Sequence, residues 1–359
     1  MILLNRINTS VQKTKSLGSS FFLCLLLVFT VGCDRDSKAV SQINGRTMGT
    51  TYSVKIVARQ SALPEESAVK AWSDEVFSRI NQSMSTYIKD SEISQLNASS
   101  QTEWQKVSKE LFDVLELSKS VSQASNGAFD ISVGPLVNAW GFGPQAKPEK
   151  IPSTEEVSVL VQGLGSDKLE LRGEGESVEI RKPPGLSLDL SAVAKGYAAD
   201  ALAAVLRQKG YTNYMVEVGG ELALGGQSPS GTAWTIGIET PSYQFEGARH
   251  ANKAVRLTDR GMATSGDYRN FYEEDGKRYS HTIDPRTGYP INHALASVTV
   301  IAETCAQADA WATALNVLGP EAALSLAESE GLAAYLLVKT GDEFKAKYSK
   351  AFKPFLLEN

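Results

Sequence analysis

Cysteine is scarce in this chain: Cys24, Cys33 and Cys305 are the three in 359 residues, and His250, His281 and His293 are the three histidines. A zinc site built from several cysteines is thereby excluded. Positive charge is not in excess either. With 36 Lys and Arg against 41 Asp and Glu, the net charge is −5 and the pI near 5.5, which argues against a nucleic-acid surface resting on general basicity. The longest apolar run, Phe21 to Val31, falls short of the roughly 20 residues that span a bilayer comfortably. No internal repeat of fixed period is visible. What is present is ordinary for a globular protein, with 42% hydrophobic and 21% charged residues, 29 Gly and 13 Pro, so a disordered, collagenous or low-complexity chain is excluded.

The first 33 residues differ from the rest. Arg6, Lys13 and Lys15 precede the apolar run, which ends at Gly32-Cys33. A basic region, a short apolar core and a small residue before the cut describe an export signal, with an uncleaved anchor helix as the alternative. Thr30-Val31-Gly32-Cys33 resembles the lipobox of bacterial lipoproteins, although Thr30 stands where that motif most often has Leu. The resemblance implies that Cys33 becomes the acylated first residue. It also implies, through Asp34 at the second mature position, retention at the bacterial inner membrane, lipid-anchored and facing the periplasm. Cleavage removes three positive charges and no acidic ones, so −5 becomes −8. Cys305 is then the one unmodified cysteine, and an intramolecular disulfide is impossible even in a compartment that permits it. The expected organisation is a signal peptide over 1–32, a polar tether over 33–42 beginning at lipidated Cys33, and one folded domain over 43–359.

Within that domain, period-two alternation predicts a strand over Thr51–Val57. Helical spacing follows Pro64 through Val69, Trp72, Val76, Phe77 and Ile80, and a second helix is expected over Lys109–Ala124. Gly141–Pro152 reads as a loop. Val178–Ile180 and Leu186–Leu190 read as short strands. Ala192–Lys209 is Ala-rich and stopped by Gly210, a strong helix signature. Strands are expected at Tyr214–Val218, Trp234–Glu239, Ala254–Leu257, Ser297–Ile301 and Ala333–Lys339, with helices over Cys305–Leu318 and Glu321–Gly331. Strands and helices mix without regular βαβ alternation, so the fold class is α+β with mixed, largely antiparallel sheets and packed helices.

Four segments are richer in special residues than packing requires. Ser125 to Asp130, followed by Gly134-Pro135 and Trp140-Gly141, offers small residues, an Asp and aromatics to a flat ligand; a purely structural Gly/Pro loop explains it as well. Leu188 to Tyr197 places a helix start beside Lys195, a cradle suited to phosphate, or else a capped amphipathic helix with a solvated Lys. Ser280 to Pro290 packs His281, Asp284 and Arg286 into turn chemistry. Asp309 and Thr313, four apart on a helix, share a face, and their oxygens suit a hard cation such as Mg²⁺; a solvated Asp and a back-bonded Thr are the plainer account.

Together these segments resemble the ApbE family of flavin transferases. The resemblance runs in order from Thr47–Tyr52 through Met84–Tyr87, Gly127–Asp130, Asp189–Gly196, Gly219–Glu221 and His281–Gly288 to Asp309–Thr313. It implies an enzyme that splits FAD at its pyrophosphate, passes FMN to a Thr or Ser hydroxyl of an acceptor protein and releases AMP. The metal site it implies comprises the Asp309 and Thr313 side chains and the Ala192 carbonyl, holding Mg²⁺. The flavin-nucleotide contacts it implies are Met48, Tyr87, Ala128, Phe129, Asp130, Asp189, Lys195 and Ile283. The implied acceptors are flavoprotein subunits of envelope electron-transfer complexes. A hydrolase giving FMN and AMP and a non-catalytic FAD-binding lipoprotein are the alternatives. A Thr hydroxyl is a weak nucleophile that benefits from a positioned base. His281 is the candidate, because imidazole has an unperturbed pKa of about 6.5, and Asp284 is the next; His281 could instead merely hydrogen-bond the turn around Asp284-Pro285.

Overall fold

The structure, a computed structural model, describes residues 37–145, 148, 150–241, 251–266, 271–274 and 276–357. The export signal, the lipobox and Cys33 lie outside the described residues.

The alternating segment becomes part of β2 (Thr50–Arg59), which points Tyr52, Val54 and Ile56 into the core. It pairs with β1 (Lys38–Thr47) across a two-residue turn, Met48-Gly49, in which both residues have positive φ, 49° and 73°. That is the turn whose twist suits a hairpin. Met48 occupies a left-handed conformation that costs a side-chain-bearing residue about 1–2 kcal/mol, and it sits at the tip that faces the cavity described below. The tether expectation needs correction here. Residues 38–42 are the first half of β1, paired from Lys38 opposite Arg59 to Gln42 opposite Lys55. Their polar composition suits an exposed edge strand, so composition alone hid the pairing.

Six further strands complete the sheet: β3 (Tyr214–Val218), β4 (Glu221–Gly225), β5 (Arg260–Gly266), β6 (Leu295–Ala302), β7 (Ala333–Thr340) and β8 (Glu343–Tyr348). Spatial order follows chain order from β1 to β8, and each neighbouring pair is antiparallel. The α+β expectation holds. Both faces are covered. Ala223 packs into one cluster with Val54, Val216 and Val218, while its neighbours Leu222 and Leu224 pack into another with Trp234, Leu257 and Phe352. Successive side chains point to opposite faces, so β4 is buried throughout and reads as a continuous apolar run after Glu221.

The helices are insertions between strands. α1 (Glu66–Met84), α2 (Lys109–Ala124) and α3 (Ala194–Gln208) lie between β2 and β3, and α4 (Cys305–Leu318) lies between β6 and β7, followed by Pro320–Ser329. Two expectations shift. Leu186–Leu190 is not a strand: the Asn97 side chain takes the place of a neighbour, accepting from Leu188 N at 2.7 Å and donating to Leu188 O at 2.8 Å. The expected helix over Ala192–Lys209 starts at Ala194 rather than Ala192, for a reason found in the site itself.

Candidate active site

A cavity of about 1510 Å³ opens where the β1–β2 turn, the start of α3, the β3–β4 turn, the end of β5, segment 281–283 and one face of α4 converge. Ordinary small-molecule pockets run to about 300–1,000 Å³, so there is room for a dinucleotide. Met48, Tyr87, Ala128, Phe129, Asp130, Asp189, Ala192, Lys195, His281, Ile283, Asp309 and Thr313 all line it. Segments up to about 260 residues apart in sequence are thus brought to one space.

One end of the cavity is charged. Lys195 Nζ lies 3.0 Å from Glu221 Oε1 and 3.6 Å from Asp309 Oδ2. The solvated-lysine account is therefore excluded. Burial opposes the charge on Lys195, but the Asp309 and Glu221 carboxylates outweigh it and hold its pKa above the usual lysine range. Burial also raises both carboxyls against the pull of Lys195, Glu221 to about 7 and Asp309 in the same direction. Two carboxylates share one ammonium, and Glu221 Oε2 is buried with no hydrogen-bond partner. With both carboxylates ionised the cluster would hold one negative charge more than Lys195 neutralises, and burial without a second cation is what raises the two carboxyls.

The backbone around Asp309 explains the late start of α3. Gly196 N–H donates to Asp309 Oδ2 at 3.0 Å, where in a regular helix it would bond the Ala192 carbonyl. The Ala192 carbonyl is thereby left out of the helix ladder, and Ala192 lines the same cavity as Asp309 and Thr313. The approach is close: a Cβ on Gly196 would stand 2.5 Å from Cys305 O and 2.9 Å from Ala306 Cα, which requires glycine there. Among the described residues no group of three or more His, Cys, Asp and Glu side chains could hold a metal. What lines the cavity there is instead one carboxylate, one hydroxyl and one backbone carbonyl outside the helix ladder, from Asp309, Thr313 and Ala192, beside a second buried carboxyl whose Oε2 has no hydrogen-bond partner. Those hard oxygens fit Mg²⁺.

Asp189 opens the turn that leads into α3, accepting the Ser191 N–H at 2.8 Å. Partial burial, with the Asp189 charge, raises the Tyr87 phenol, and Tyr87 stands 66% exposed at the rim. Phe129 and Ala128 are buried. Asp130 is spent locally: Oδ1 accepts from Ser132 N and Oγ at 2.7 Å, and Oδ2 from Ser166 N at 3.1 Å. His281 follows the hairpin Phe271–Glu274/Lys277–Ser280 and meets Phe142 edge-on at 6.3 Å between ring centroids. Phe142, Tyr272, Tyr279 and Trp140 continue as a run of ring contacts at 5.2–5.6 Å, a rigid wall behind the imidazole. The reserve base, Asp284, is a correction. Its carboxylate is held by Arg286 Nε and Nη2 at 2.9 and 2.8 Å and does not line the cavity. It closes the turn Asp284–Tyr289. The residue given no role from sequence is Glu221; a charged residue opening an otherwise apolar strand directly after Gly219-Gly220 was the available signal.

This arrangement places the chain in a known class. A solved flavin transferase ApbE from Vibrio cholerae superposes with a TM-score of 0.79 at 39% identity, covering 89% of this chain and all of that one. The ApbE protein of Thermotoga maritima superposes with a TM-score of 0.76 at 27% identity, over 89% of this chain and all of that one. The model of the ApbE family matches residues 48–336. Among curated relatives, the FAD:protein FMN transferase of Vibrio cholerae is 41% identical over 330 residues, 92% of this chain and 96% of that protein. That of Escherichia coli is 41% identical over 342 residues, 92% and 95% of the two chains. The chain belongs to the ApbE family.

Proposed function

We propose that this chain is an FAD:protein FMN transferase that uses Mg²⁺ and acts on envelope flavoprotein subunits. The observation that carries the reading is the Gly196–Asp309 hydrogen bond. It joins the Asp189–Gly196 segment to the Asp309–Thr313 segment at one point of the cavity and takes the amide that would otherwise bond the Ala192 carbonyl.

In the proposed reaction the acceptor hydroxyl oxygen attacks the FMN-side phosphorus of FAD. The bond from that phosphorus to the bridging oxygen breaks, AMP leaves, and the hydroxyl proton passes to a base. Phosphoryl transfer asks mainly for charge neutralisation and in-line positioning. Mg²⁺, held by Asp309, Thr313 and the Ala192 carbonyl, would supply Lewis-acid polarisation of the phosphoryl oxygens. Lys195, kept charged by its two carboxylates, adds a cation at the first turn of α3, whose dipole also favours phosphate. Met48 and Phe129 offer apolar surface, and Tyr87 a ring at the rim, for the flat portions of FAD.

The test incubates the full chain, in detergent, with FAD and Mg²⁺, with and without a flavoprotein acceptor. AMP should form only when acceptor is present, with FMN bound covalently to it. AMP without acceptor would make the protein a pyrophosphatase, and no AMP under either condition would make it a carrier.

The location proposed is the inner membrane, periplasmic side, by a lipid on Cys33. No helix among the described residues is long and apolar enough to cross a membrane. A single acyl chain holds only marginally, whereas the two or more chains of a processed lipoprotein hold stably. Cys33→Ser should lose lipid labelling and signal cleavage together. Normal processing and palmitate incorporation in that variant would refute the anchor.

A further inference from the structure

The first turn of α4 leaves four backbone N–H groups without partners inside the helix, and each can be traced. Two are satisfied by a capping box within the same chain segment: Gln307 N donates to Thr304 Oγ1 at 3.2 Å and Thr304 N to Gln307 Oε1 at 3.3 Å. The other two cross to a different helix. Cys305 N donates to Asp200 Oδ1 at 2.9 Å and Ala306 N to Asp200 Oδ2 at 2.8 Å. Asp200 stands four residues after Gly196, so the two share one face of α3, while Ala192 lies two residues before that helix begins. Ala192 lines the cavity just before the helix, Gly196 closely approaches the α4 backbone and holds Asp309, and one turn on the Asp200 carboxylate grips the α4 N-terminus.

We propose that Asp200 is a positioning residue for the cation site: it bolts the first turn of α4 to α3, so that the Asp309 carboxylate and the Ala192 carbonyl converge on one ion. The inference rests on the Mg²⁺ reading above. A carboxylate accepting two backbone amides makes charge-assisted bonds of fixed direction, and helix N-termini favour a negative partner. Thr304 stabilises the same helix end but ties it to nothing else. Asp200 alone of the two sets the register between the helices.

The experiment is a calorimetric Mg²⁺ titration of the full chain loaded with FAD, without acceptor, alongside a thermal melt and a measurement of FAD affinity without Mg²⁺. In Asp200→Ala the Mg²⁺ dissociation constant should rise about 10- to 100-fold, the effect typical of losing a partner that orients a metal ligand. FAD affinity without Mg²⁺ should stay at the wild-type value. Thr304→Val, which removes a cap of the same helix, should lower the melting temperature and leave Mg²⁺ affinity unchanged. Asp200→Ala with wild-type Mg²⁺ affinity overturns the inference, as does an equal loss in Thr304→Val, which would reduce Asp200 to helix stability. If Asp200→Ala does not fold, Asp200→Asn, which keeps one acceptor oxygen, should show the same weakening in smaller degree, and wild-type affinity there is likewise a refutation. Absence of Mg²⁺ binding in the wild type would instead overturn the cation reading itself.

Discussion

Asp309→Ala should abolish calorimetric Mg²⁺ binding and lower turnover by about 10³-fold or more, the loss expected when several kcal/mol of transition-state charge stabilisation disappear. The substitution does more than delete one proposed ligand. Gly196 N–H loses its acceptor and can return to the Ala192 carbonyl, extending α3 backwards by one or two residues and withdrawing a second oxygen from the ion. Thr313→Val, which removes only a hydroxyl at nearly constant shape, should weaken Mg²⁺ less. Both variants should still bind FAD, because Met48, Tyr87 and Phe129, the residues proposed to take its flat portions, are left intact. A wild-type rate for Asp309→Ala at limiting Mg²⁺ would rule out the site. The electrostatics predict a companion effect on stability. Burial lifts the folded Glu221 pKa from 4.5 to about 7, so the folded state binds more protons than the unfolded one between those values. Stability of the metal-free protein should therefore fall as pH rises through that window. Saturating Mg²⁺ should flatten the fall by supplying the missing positive charge, a comparison that thermal melts at several pH values can make.

What the sequence disclosed depended on how local the governing interaction was. α2 and α4 have the bounds expected from sequence, Lys109–Ala124 and Cys305–Leu318, and what fixes their starts is local: Ser108 and Thr304 satisfy amides of the helices they precede. The start of α3 was misplaced by two residues because the competing acceptor, Asp309, is 113 residues away from Gly196. Leu186–Leu190 was misread because a side-chain amide, not a strand, pairs its backbone. The β1 edge was missed since exposure leaves its polar residues no reason to alternate cleanly. Of the residues that line the cavity, helical spacing alone puts Asp309 and Thr313 on one face and sequence alone puts Lys195 near a helix start. The role of Glu221 was not legible, since nothing in Gly219-Gly220-Glu221 says that α3 will bring Lys195 within 3.0 Å. Asp284 illustrates the converse: a carboxylate in a suggestive motif can be consumed by the arginine two residues on.

His281→Asn should lower the transfer rate by about 10²-fold or more, the lower range for loss of a general base. The imidazole lines the cavity, with the Phe142 edge contact and the aromatic run behind it limiting its freedom. A neutral imidazole accepts the proton that the acceptor hydroxyl must shed, so the wild-type rate should rise with pH through the histidine titration and then level off. In His281→Asn that rise should vanish. Asparagine keeps a polar side chain of similar reach, so the wall should stay packed and FAD affinity should change little, a loss in the transition state rather than in ground-state binding. The measurement is single-turnover transfer to an acceptor from pH 5 to 9, with FAD binding followed separately. Near wild-type turnover at pH 7, or a loss explained wholly by weaker FAD binding, would remove His281 from the role. Asp284 could not then inherit it without breaking its pair with Arg286, so Asp284→Asn should leave the pH profile of the wild-type enzyme in place.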